Sequence, residues 1–412
     1  MKISDIQAIV TAPAGIRLVV VKVFTDTDGL YGLGCATFTQ RPLTVVTEIE
    51  QYLKPMLIGR DPANITDIHN ALYLSGYWRG GAVMNNALAG VDQALWDIKG
   101  KVANLPAYQL FGGAVRDELA TYVHVNGADE NEIAANITEL SKKGFKNFRV
   151  QPALSNNASY GVGKTNETQF GNQPSQSYRL ADQSVRWDED AYLKAVPKLF
   201  KYLRENLSAD FNYIHDVHER VSPNAAINLA KQLEPYNLFY LEDPVSPDDT
   251  GYLAQLRAQT ATPIAMGELF THPSEYQPLI QNRLIDYIRC HVSQIGGVTN
   301  ALKLTHFAEV YGVKTAWHGP GDVSPIGHAT HLHLGISAVN FGIQEIYLPN
   351  EEVLEVFPGA PTPTYGVLKV NNKPGFGVDI DLAAAKKYPL PDHKYNGAWP
   401  EIRRADGSII KP

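Results

Sequence analysis

The sequence predicts an α/β fold, a TIM-type barrel joined to a separate α+β module, and three observations support this. Eight β-rich runs follow residue 115, most of them about 25 residues apart, with helix-like segments between them. Three successive runs end at Asp216, Glu242 and Glu268, so their acidic residues are evenly spaced. The first 115 residues do not follow this repeat. The chain therefore divides into a cap, a barrel and a tail.

The cap, residues 1–115, contains the strand-like runs KISDIQAIVTA and RLVVVKVFTDTDGLYGLG, followed by the helix-like NALAGVDQALWDIKGKVA. Strands followed by helices are typical of an α+β domain. After about residue 370, segments with Pro and Lys show no clear period. We therefore expect residues 371–412 to form a tail outside the barrel repeat.

The barrel, residues 116–370, is predicted from eight runs in chain order: TYVHVNG, KNFRVQ, NYIHD, LFYLE, PIAMGE, DYIRCHV, GVKTAWHG and VNFGIQEI. Segments such as DEDAYLKAVPKLFKYLREN are helix-like and separate the runs. One step, from the second run to the third, is much longer and carries the polar tract NNASYGVGKTNETQFGNQPSQSYRLADQSV. Such a long loop is either a disordered insert or, more often at a catalytic face, a lid or part of the pocket.

Composition excludes several classes of function. The net charge is −7, and no cluster of Lys and Arg offers the basic surface that nucleic acid or an anionic membrane requires. The sequence contains no 18-residue apolar run and no signal-peptide pattern at its start, so we expect a cytoplasmic protein. Cys35 and Cys290 lie in different predicted domains and make neither a disulfide framework nor a thiolate metal site. A small-molecule substrate is favoured.

The three strand-end carboxylates predict a metal site. Carboxyl ends of neighbouring parallel strands meet at one mouth of a barrel, so Asp216, Glu242 and Glu268 would lie side by side. Three carboxylates, with waters and substrate oxygens, suit Mg²⁺. Each acid alone could instead cap a helix or pair with a lysine, but the even spacing of all three favours a metal site.

Together, the two-part fold and this triad resemble the enolase superfamily over nearly the whole chain. The resemblance implies a modified (β/α)7β barrel and a capping domain built from both chain ends. It also implies that Asp216, Glu242 and Glu268 bind Mg²⁺. Superfamily chemistry begins with removal of the proton α to a carboxylate, and the metal neutralises the charge of the resulting enediolate.

The residues that would act as bases indicate a subgroup. The Lys-x-Lys pair of many relatives is replaced by Arg149-Val150-Gln151, and Cys290 and His291 stand where other relatives carry an Asp behind the strand-seven His. The chain is similar instead to the mannonate dehydratase subgroup. This resemblance implies that Arg149 and Tyr160 together remove the C2 proton and that His218 is the acid. Its substrate-contacting positions are Arg289, His318, Asp322 and Glu345.

Physical reasons accompany these roles. The guanidinium of Arg149 would stabilise the phenolate of Tyr160 and lower its pKa from about 10. We expect His218 to share the strand of Asp216, so the two side chains face the same side and the imidazole is directed at the substrate beside the metal, because side chains alternate along a strand. His124 on the first barrel strand is a further candidate for a substrate contact, and Thr39 in the cap loop CATFTQRP is a weaker one.

The resemblance implies a Mg²⁺-dependent dehydratase that converts D-mannonate or D-gluconate to 2-keto-3-deoxy-D-gluconate, in a homo-oligomer of four or eight chains. Two departures from the subgroup predict slow turnover: Pro320 replaces the Ala of efficient members, and the tail lacks their Trp-rich ending. Two alternatives stay open. One is an acid-sugar racemase or epimerase with His318 as second base, and the other is a regulatory protein that binds a sugar acid or lactone with little turnover.

Overall fold

The computed structural model describes residues 1–152, 187–391 and 402–411. The N-terminal part opens with an antiparallel sheet whose strands lie in the order β1-β2-β3. Their bounds are β1 Ile3–Thr11, β2 Leu18–Thr25 and β3 Tyr31–Cys35. The strands predicted from the two N-terminal runs are therefore present.

Helices cover one face of this sheet. They are α1 Pro42–Thr47, α2 Lys54–Leu57, α3 Ile65–Ser75, α4 Ala82–Ala103 and α5 Ala107–Leu110, and a π-helical turn, Glu48–Leu53, joins the first two. The long helix α4 packs directly on β3. A Cβ at Gly34 would lie 1.9 Å from the carbonyl oxygen of Gly90, so only glycine allows this close approach.

Eight parallel strands form the barrel. They are β4 Leu119–Val125, β5 Asn147–Val150, β6 Asn212–Asp216, β7 Tyr240–Glu242, β8 Ile264–Met266, β9 Tyr287–Ile288, β10 Lys314–Thr315 and β11 Gln344–Glu345. Strand β11 pairs with β4, and a parallel bridge between Thr315 and Phe341 joins the remaining edges. Seven strands fall within their predicted runs and β4 begins two residues before its run, so the predicted barrel is confirmed.

Seven helices connect the eight strands in the described parts of the chain, as a (β/α)7β barrel requires. They are α6 Glu130–Lys142, α7 Glu189–Asn206, α8 Pro223–Leu233, α9 Leu253–Gln259, α10 Pro273–Gln281, α11 Val298–Val310 and α12 Pro325–Ser337. Beyond the barrel lie α13 Glu351–Val356, a short strand β12 Val367–Leu368 antiparallel to β4, and α14 Leu382–Ala385.

The C-terminal region contacts both parts of the molecule. The backbone N–H of Ala107 donates to the carbonyl of Gly375 at 2.8 Å, and the Tyr31 hydroxyl donates to the carboxylate of Asp379. Residues 402–411 lie instead against the barrel, where the N–H of Trp187 donates to the carbonyl of Arg403. The tail therefore runs from the cap back to the barrel.

A small apolar and aromatic cluster fills the barrel interior. Its buried members are Tyr122, Ile214, Tyr240, Ala265, Tyr287, Ala316 and Ile343, all from barrel strands or the residues beside them. Because this cluster occupies the interior, polar side chains at the carboxyl ends of the strands meet above it at a closed floor. Among the described helices, none combines the length and apolar composition needed to cross a membrane.

Candidate active site

Three carboxylates meet at the carboxyl ends of β6 and β7. Asp216 and Glu242 are the last residues of their strands and stand opposite each other in the parallel register. Asp243 follows directly, and its φ of 37° turns the chain at the strand end. One oxygen from each of the three side chains lies within 4.8 Å of the others. All three residues are buried, so this is a compact acidic centre.

Glu268 lies beside this centre rather than within it. Strands β6 and β7 end on their acids, whereas β8 ends at Met266, and Gly267 has a φ of 139° before Glu268 follows. The carboxylate of Glu268 faces two imidazoles, with Oε1 3.5 Å from Nε2 of His218 and Oε2 3.3 Å from Nε2 of His318. Among the described residues, the group of acids within 4.8 Å of one another therefore contains Asp243 in place of Glu268.

The acidic centre meets the requirements of a hard cation. The Oε2 atom of Glu242 is buried and accepts no hydrogen bond from the described residues. Burial raises the pKa of Glu242 to about 7, and burial with the charges of Glu242 and Asp216 raises the pKa of Asp243 well above its usual value. Carboxylate oxygens in a water-poor site that repel one another suit a divalent ion. Asp216, Glu242, Asp243 and Glu268 are the residues that could hold it.

Arg149 on β5 supplies positive charge at the same mouth. It is 1% exposed, and its Nη2 contacts the carboxylate of Asp216. Its Nη1 lies 3.1 Å from Nε2 of His124 and 3.3 Å from an oxygen of Glu345. Burial alone would raise the pKa of Asp216, but Arg149 and its other neighbours lower it below the usual value. Arg149 thus joins three strands electrostatically.

Glu345 at the end of β11 is the centre of a second network. Its Oε2 accepts from Nη2 of Arg289 at 3.0 Å and from the N–H of Gly319 at 2.8 Å, and its Oε1 lies 2.5 Å from Nε2 of His124. Despite complete burial, these donors hold the pKa of Glu345 well below its usual range. Both oxygens of Glu345 are therefore engaged by donors of the chain itself.

Arg289 connects this network to the acidic centre. It follows β9, is fully buried and contacts the carboxylate of Glu242. It also lies 3.7 Å from Oε2 of Glu268. A planar guanidinium can serve several carboxylates at once in fixed geometry. Arg289 thereby links the predicted metal ligands to Glu345.

His218 reaches the mouth by a different route from the one predicted. Strand β6 ends at Asp216, and His218 has a left-handed φ of 53°, so alternation along a strand does not orient its side chain. The turn is held by the N–H of His218, which donates to Oδ1 of Asp216 at 2.7 Å. The imidazole nevertheless faces Glu268. His218 therefore lies at the barrel mouth as predicted, but the prediction that strand alternation orients its side chain is wrong.

The remaining predicted site residues are placed as follows. His318 lies after β10, with its imidazole between Glu268 and His291. Asp322 lies four residues after His318, and burial raises the pKa of Asp322 to about 7. Two buried oxygens have no hydrogen-bond partner among the described residues, namely Oδ1 of Asp322 and the hydroxyl of Thr39. Tyr160 and the long polar tract lie outside the described residues.

Two residues of this site were missed in the sequence. Asp243 directly follows a predicted ligand, so an acid pair at a strand end was the available signal. His291 was noted only for replacing an expected Asp, yet its Nδ1 lies 3.2 Å from Nδ1 of His318. In the described part of the chain, five carboxyl groups gather at this mouth with two guanidinium groups, and the raised pKa values of Glu242, Asp243 and Glu268 show that these carboxyl groups lack sufficient positive charge. This balance favours binding of a cation together with an anionic substrate.

Comparisons with known proteins agree with this geometry. Residues 2–112 match the mandelate racemase / muconate lactonizing enzyme N-terminal domain, and residues 133–385 match the enolase C-terminal domain-like family. A D-galactonate dehydratase family member from Salmonella virchow is 50% identical over 420 residues, which cover 100% of this chain and 99% of the relative. A second member, from Enterococcus gallinarum, is 46% identical over 100% of this chain and 98% of its own length.

Solved structures show the same family relationship. A crystal structure of an enolase from Pantoea ananatis with bound D-gluconate and Mg is 49% identical, with a TM-score of 0.93 and complete coverage of both chains. An enolase from Agrobacterium radiobacter with bound Na and L-malate is 26% identical with a TM-score of 0.83, again with complete coverage. The chain therefore belongs to the D-galactonate dehydratase family of the enolase superfamily.

Proposed function

We propose that the protein is a Mg²⁺-dependent sugar-acid dehydratase that removes water across C2 and C3 of D-gluconate or D-mannonate. The product would be 2-keto-3-deoxy-D-gluconate. The family places the chain among the hydro-lyases. The observation that carries the proposal is the meeting of Asp216, Glu242, Asp243 and Glu268 with two buried arginines and two histidines at one barrel mouth.

Asp216, Glu242 and Glu268 are the proposed metal ligands, and Asp243 is a further carboxyl group within reach of the first two. Glu268 would join the other two ligands through rotation of its side chain, since among the described residues its Oε1 and Oε2 face imidazoles and a more distant arginine. Bound Mg²⁺ would hold the substrate carboxylate and stabilise the charge that develops when the C2 proton leaves. The buried Oε2 of Glu242 supports this assignment.

The first chemical step is assigned to Tyr160 and Arg149. Tyr160, with its phenolate stabilised by the guanidinium, would take the proton from C2. Support for the arginine is its burial and its position between Asp216 and Glu345, which fix the guanidinium at the mouth. The role of Tyr160 rests on the family resemblance and on the absence of a lysine at position 149 or 151.

The second step is assigned to His218. Its imidazole would donate a proton to the 3-hydroxyl, which then leaves as water, and the remaining enol takes up a proton at C3 to give the 2-keto product. The position of His218 beside Glu268 supports this role, because it places a proton donor next to a proposed metal ligand.

The other polar groups are proposed to bind the polyol chain and the carboxylate. Asp322 and Thr39 each offer a buried oxygen without a hydrogen-bond partner among the described residues, which supports a contact with substrate hydroxyls. His318 would contribute from Nε2. Arg289, Glu345 and His124 bind one another in this structure, so we propose that they shape the mouth and touch the substrate at its edge.

An assay against a library of acid sugars tests the proposal. Purified protein with Mg²⁺ should release a 2-keto-3-deoxy product from D-gluconate or D-mannonate, and EDTA should abolish the product. Release of a C2 epimer without dehydration would instead support a racemase or epimerase. Saturable binding of a sugar acid with no product would support the regulatory alternative.

Three further proposals come from the sequence. We propose a homo-oligomer of four or eight chains, a cytoplasmic location and slow turnover caused by Pro320. Light scattering on the purified protein tests the oligomeric state, and cell fractionation tests the location. The domain limits of 1–115, 116–370 and 371–412 are also proposals, and limited proteolysis at their boundaries tests them.

A further inference from the structure

The imidazole of His318 meets another imidazole where related designs place a carboxylate. Nδ1 of His291 lies 3.2 Å from Nδ1 of His318. His291 is 4% exposed, and the ring centroids of the two residues are 5.3 Å apart. A neutral imidazole carries one N–H donor and one bare acceptor nitrogen. A hydrogen bond between two Nδ1 atoms therefore forces one ring to donate and the other to accept.

The far side of the His291 ring decides which ring donates. Nε2 of His318 lies 3.3 Å from a carboxylate oxygen of Glu268, but burial and neighbouring carboxylates raise the pKa of Glu268 well above its usual value, so this contact is compatible with a proton on either group. Nε2 of His291 is buried and has no hydrogen-bond partner in the described part of the chain. A bare acceptor is tolerated there more readily than an N–H donor, since orphaned buried donors are the rarer case.

The unpartnered Nε2 of His291 selects one arrangement. His291 donates from Nδ1, His318 accepts at Nδ1, and His318 presents an N–H at Nε2 to the barrel mouth. The opposite arrangement would bury an unpaired N–H on His291. We propose that His291 is a positioning residue that fixes His318 as a hydrogen-bond donor to the substrate and prevents it from acting as a base.

The surroundings of His291 keep it neutral. Burial, with nearby His328, lowers its pKa to about 4. His328 bonds to the carbonyl of Pro320, and burial likewise lowers the pKa of His331 well below its usual value. Glu345 is the charged group among the groups that perturb these imidazoles, and it is engaged by Arg289. A neutral His291 is what donation from Nδ1 and a bare Nε2 require.

The consequence for the reaction rests on the proposed function. An Asp in place of His291 would accept a hydrogen bond from a protonated Nδ1 of His318 and leave Nε2 bare, as in carboxylate–histidine pairs that create a base. His291 instead donates to Nδ1 of His318, so the proton of His318 stays on Nε2. The C2 proton would thus be handled from one face of the substrate, and the chain would dehydrate a sugar acid without epimerising it.

The isosteric pair His291→Asn and His291→Asp tests this proposal. An Asn amide can still donate to Nδ1 of His318, whereas an Asp carboxylate can only accept. Imidazole ¹⁵N NMR of ring-labelled protein reports which nitrogen carries the proton, and a His318→Gln spectrum assigns the signals. Wild-type protein and His291→Asn should show His318 protonated at Nε2, and His291→Asp should show it protonated at Nδ1. Protonation of wild-type His318 at Nδ1 would overturn the proposal.

Kinetics provide a second, separate test. His291→Asp should lower kcat for dehydration by on the order of 100-fold or more, since a wrong tautomer can cost that much, and it should gain exchange of the C2 proton in substrates of opposite C2 configuration. His291→Asn should stay within about tenfold of wild type. Equal losses in both variants, at matched thermal stability, would show a merely structural role and contradict the proposal. Wild-type protein without dehydratase activity would refute the proposed function, and the NMR result would still decide the tautomer.

Discussion

The guanidinium of Arg149 contacts the carboxylate of Asp216 on the neighbouring strand. An arginine on β5 thereby neutralises part of an acidic centre built by β6 and β7. The contact holds the arginine side chain close to the proposed cation and substrate, which is where a group that stabilises a phenolate is needed. It also means that a cation entering this centre shares Asp216 with a resident positive charge.

Glu242→Gln tests the metal site. The exchange keeps the side-chain volume but removes the charge of a buried oxygen that has no hydrogen-bond partner among the described residues, so Mg²⁺ binding and turnover should be lost while the barrel stays folded. Wild-type protein should gain about 2.7 kcal/mol of stability at a Mg²⁺ concentration of 100 times Kd, measured by thermal unfolding.

Glu139→Gln is the matched control for this experiment. Glu139 lies on α6 with its side chain 68% exposed, so its removal should leave the Mg²⁺-dependent shift in Tm unchanged. A normal Mg²⁺ shift in Glu242→Gln would remove Glu242 from the metal site.

Proton removal and loss of the hydroxyl can be separated with two variants. Tyr160→Phe should abolish both dehydration and exchange of the C2 proton with deuterated solvent, because the base is gone. His218→Asn should abolish dehydration and retain exchange, provided that the proton on Tyr160 swaps with solvent before it returns. NMR of the substrate in D₂O measures the exchange. The opposite pattern would assign the base to His218.

Pro320 is expected to limit the rate. Its carbonyl accepts from Nε2 of His328, and its fixed φ restrains the backbone between His318 and Asp322. A displacement of about 1 Å in such positioning groups can cost on the order of 100-fold in rate. Wild-type turnover should therefore lie well below the roughly 10 per second of an ordinary enzyme.

Pro320→Ala should change the ratio of kcat for D-mannonate to kcat for D-gluconate. Full efficiency is not expected, because the tail also departs from the pattern of efficient members. Steady-state kinetics on both substrates measure the ratio. Unchanged kinetics on both would disprove the role given to Pro320.

A carboxylate of the cap stabilises a barrel helix. Helix α11 begins after Gly297, which has no side chain to cap it, and Asp92 on α4 accepts instead from the N–H of Thr299 at 2.9 Å and from its hydroxyl. Asp92→Ala leaves these buried donors unpaired and should cost roughly 1–3 kcal/mol in the free energy of unfolding. Urea unfolding measures the loss.

Thr305→Val is the control for the cap contact. The hydroxyl of Thr305 donates to the carbonyl of Ala301 within the same helix, so its loss should cost less than that of Asp92. Equal losses in the free energy of unfolding would indicate that the hydrogen bonds from Thr299 to Asp92 stabilise the protein no more than a hydrogen bond within α11.

The stability of the protein should fall in mild acid, in part through His333. Its Nδ1 accepts from the N–H of Tyr108 and its Nε2 lies 3.3 Å from the carbonyl of Phe376, and burial lowers its pKa from 6.5 to about 4. A lowered histidine pKa means that the unfolded state binds the proton first. The contribution of His333 is therefore complete above about pH 6.5 and is lost as the pH falls towards about 4.

His333→Gln keeps an acceptor and a donor but does not titrate. Its free energy of unfolding should therefore fall less than that of wild-type protein between about pH 7 and about pH 5. Denaturant unfolding at the two pH values measures the difference. Parallel pH profiles for the two proteins would show that His333 is not the group responsible.

The sequence predicted the eight strands because their apolar runs recur regularly and because β6 and β7 end on their acids. It did not predict the geometry of Glu268, since nothing in PIAMGE shows that β8 stops two residues before the acid. The left-handed turn at His218 was hidden for a similar reason, because a non-glycine residue with positive φ has no clear sequence signal.

Contacts between residues that are distant in the chain could not be predicted from the sequence either. Arg149 and Glu345 are 196 residues apart, and their contact depends on closure of the barrel through β4 and β11. The pairing of His291 with His318 similarly requires the register of neighbouring strand ends. Periodicity identifies which residues reach the mouth of a barrel, whereas partners at that mouth depend on strand register and loop turns.

The most direct test of the central claim is product analysis in D₂O. Protein with Mg²⁺ and D-gluconate or D-mannonate should form a 2-keto-3-deoxy acid that carries one solvent deuterium at C3, because the enol left by loss of water takes its proton from solvent. Omission of Mg²⁺ or the Glu242→Gln exchange should abolish this product. A Mg²⁺-dependent dehydratase would be contradicted if the product formed at an undiminished rate in EDTA, or if neither substrate gave the product with Mg²⁺ present.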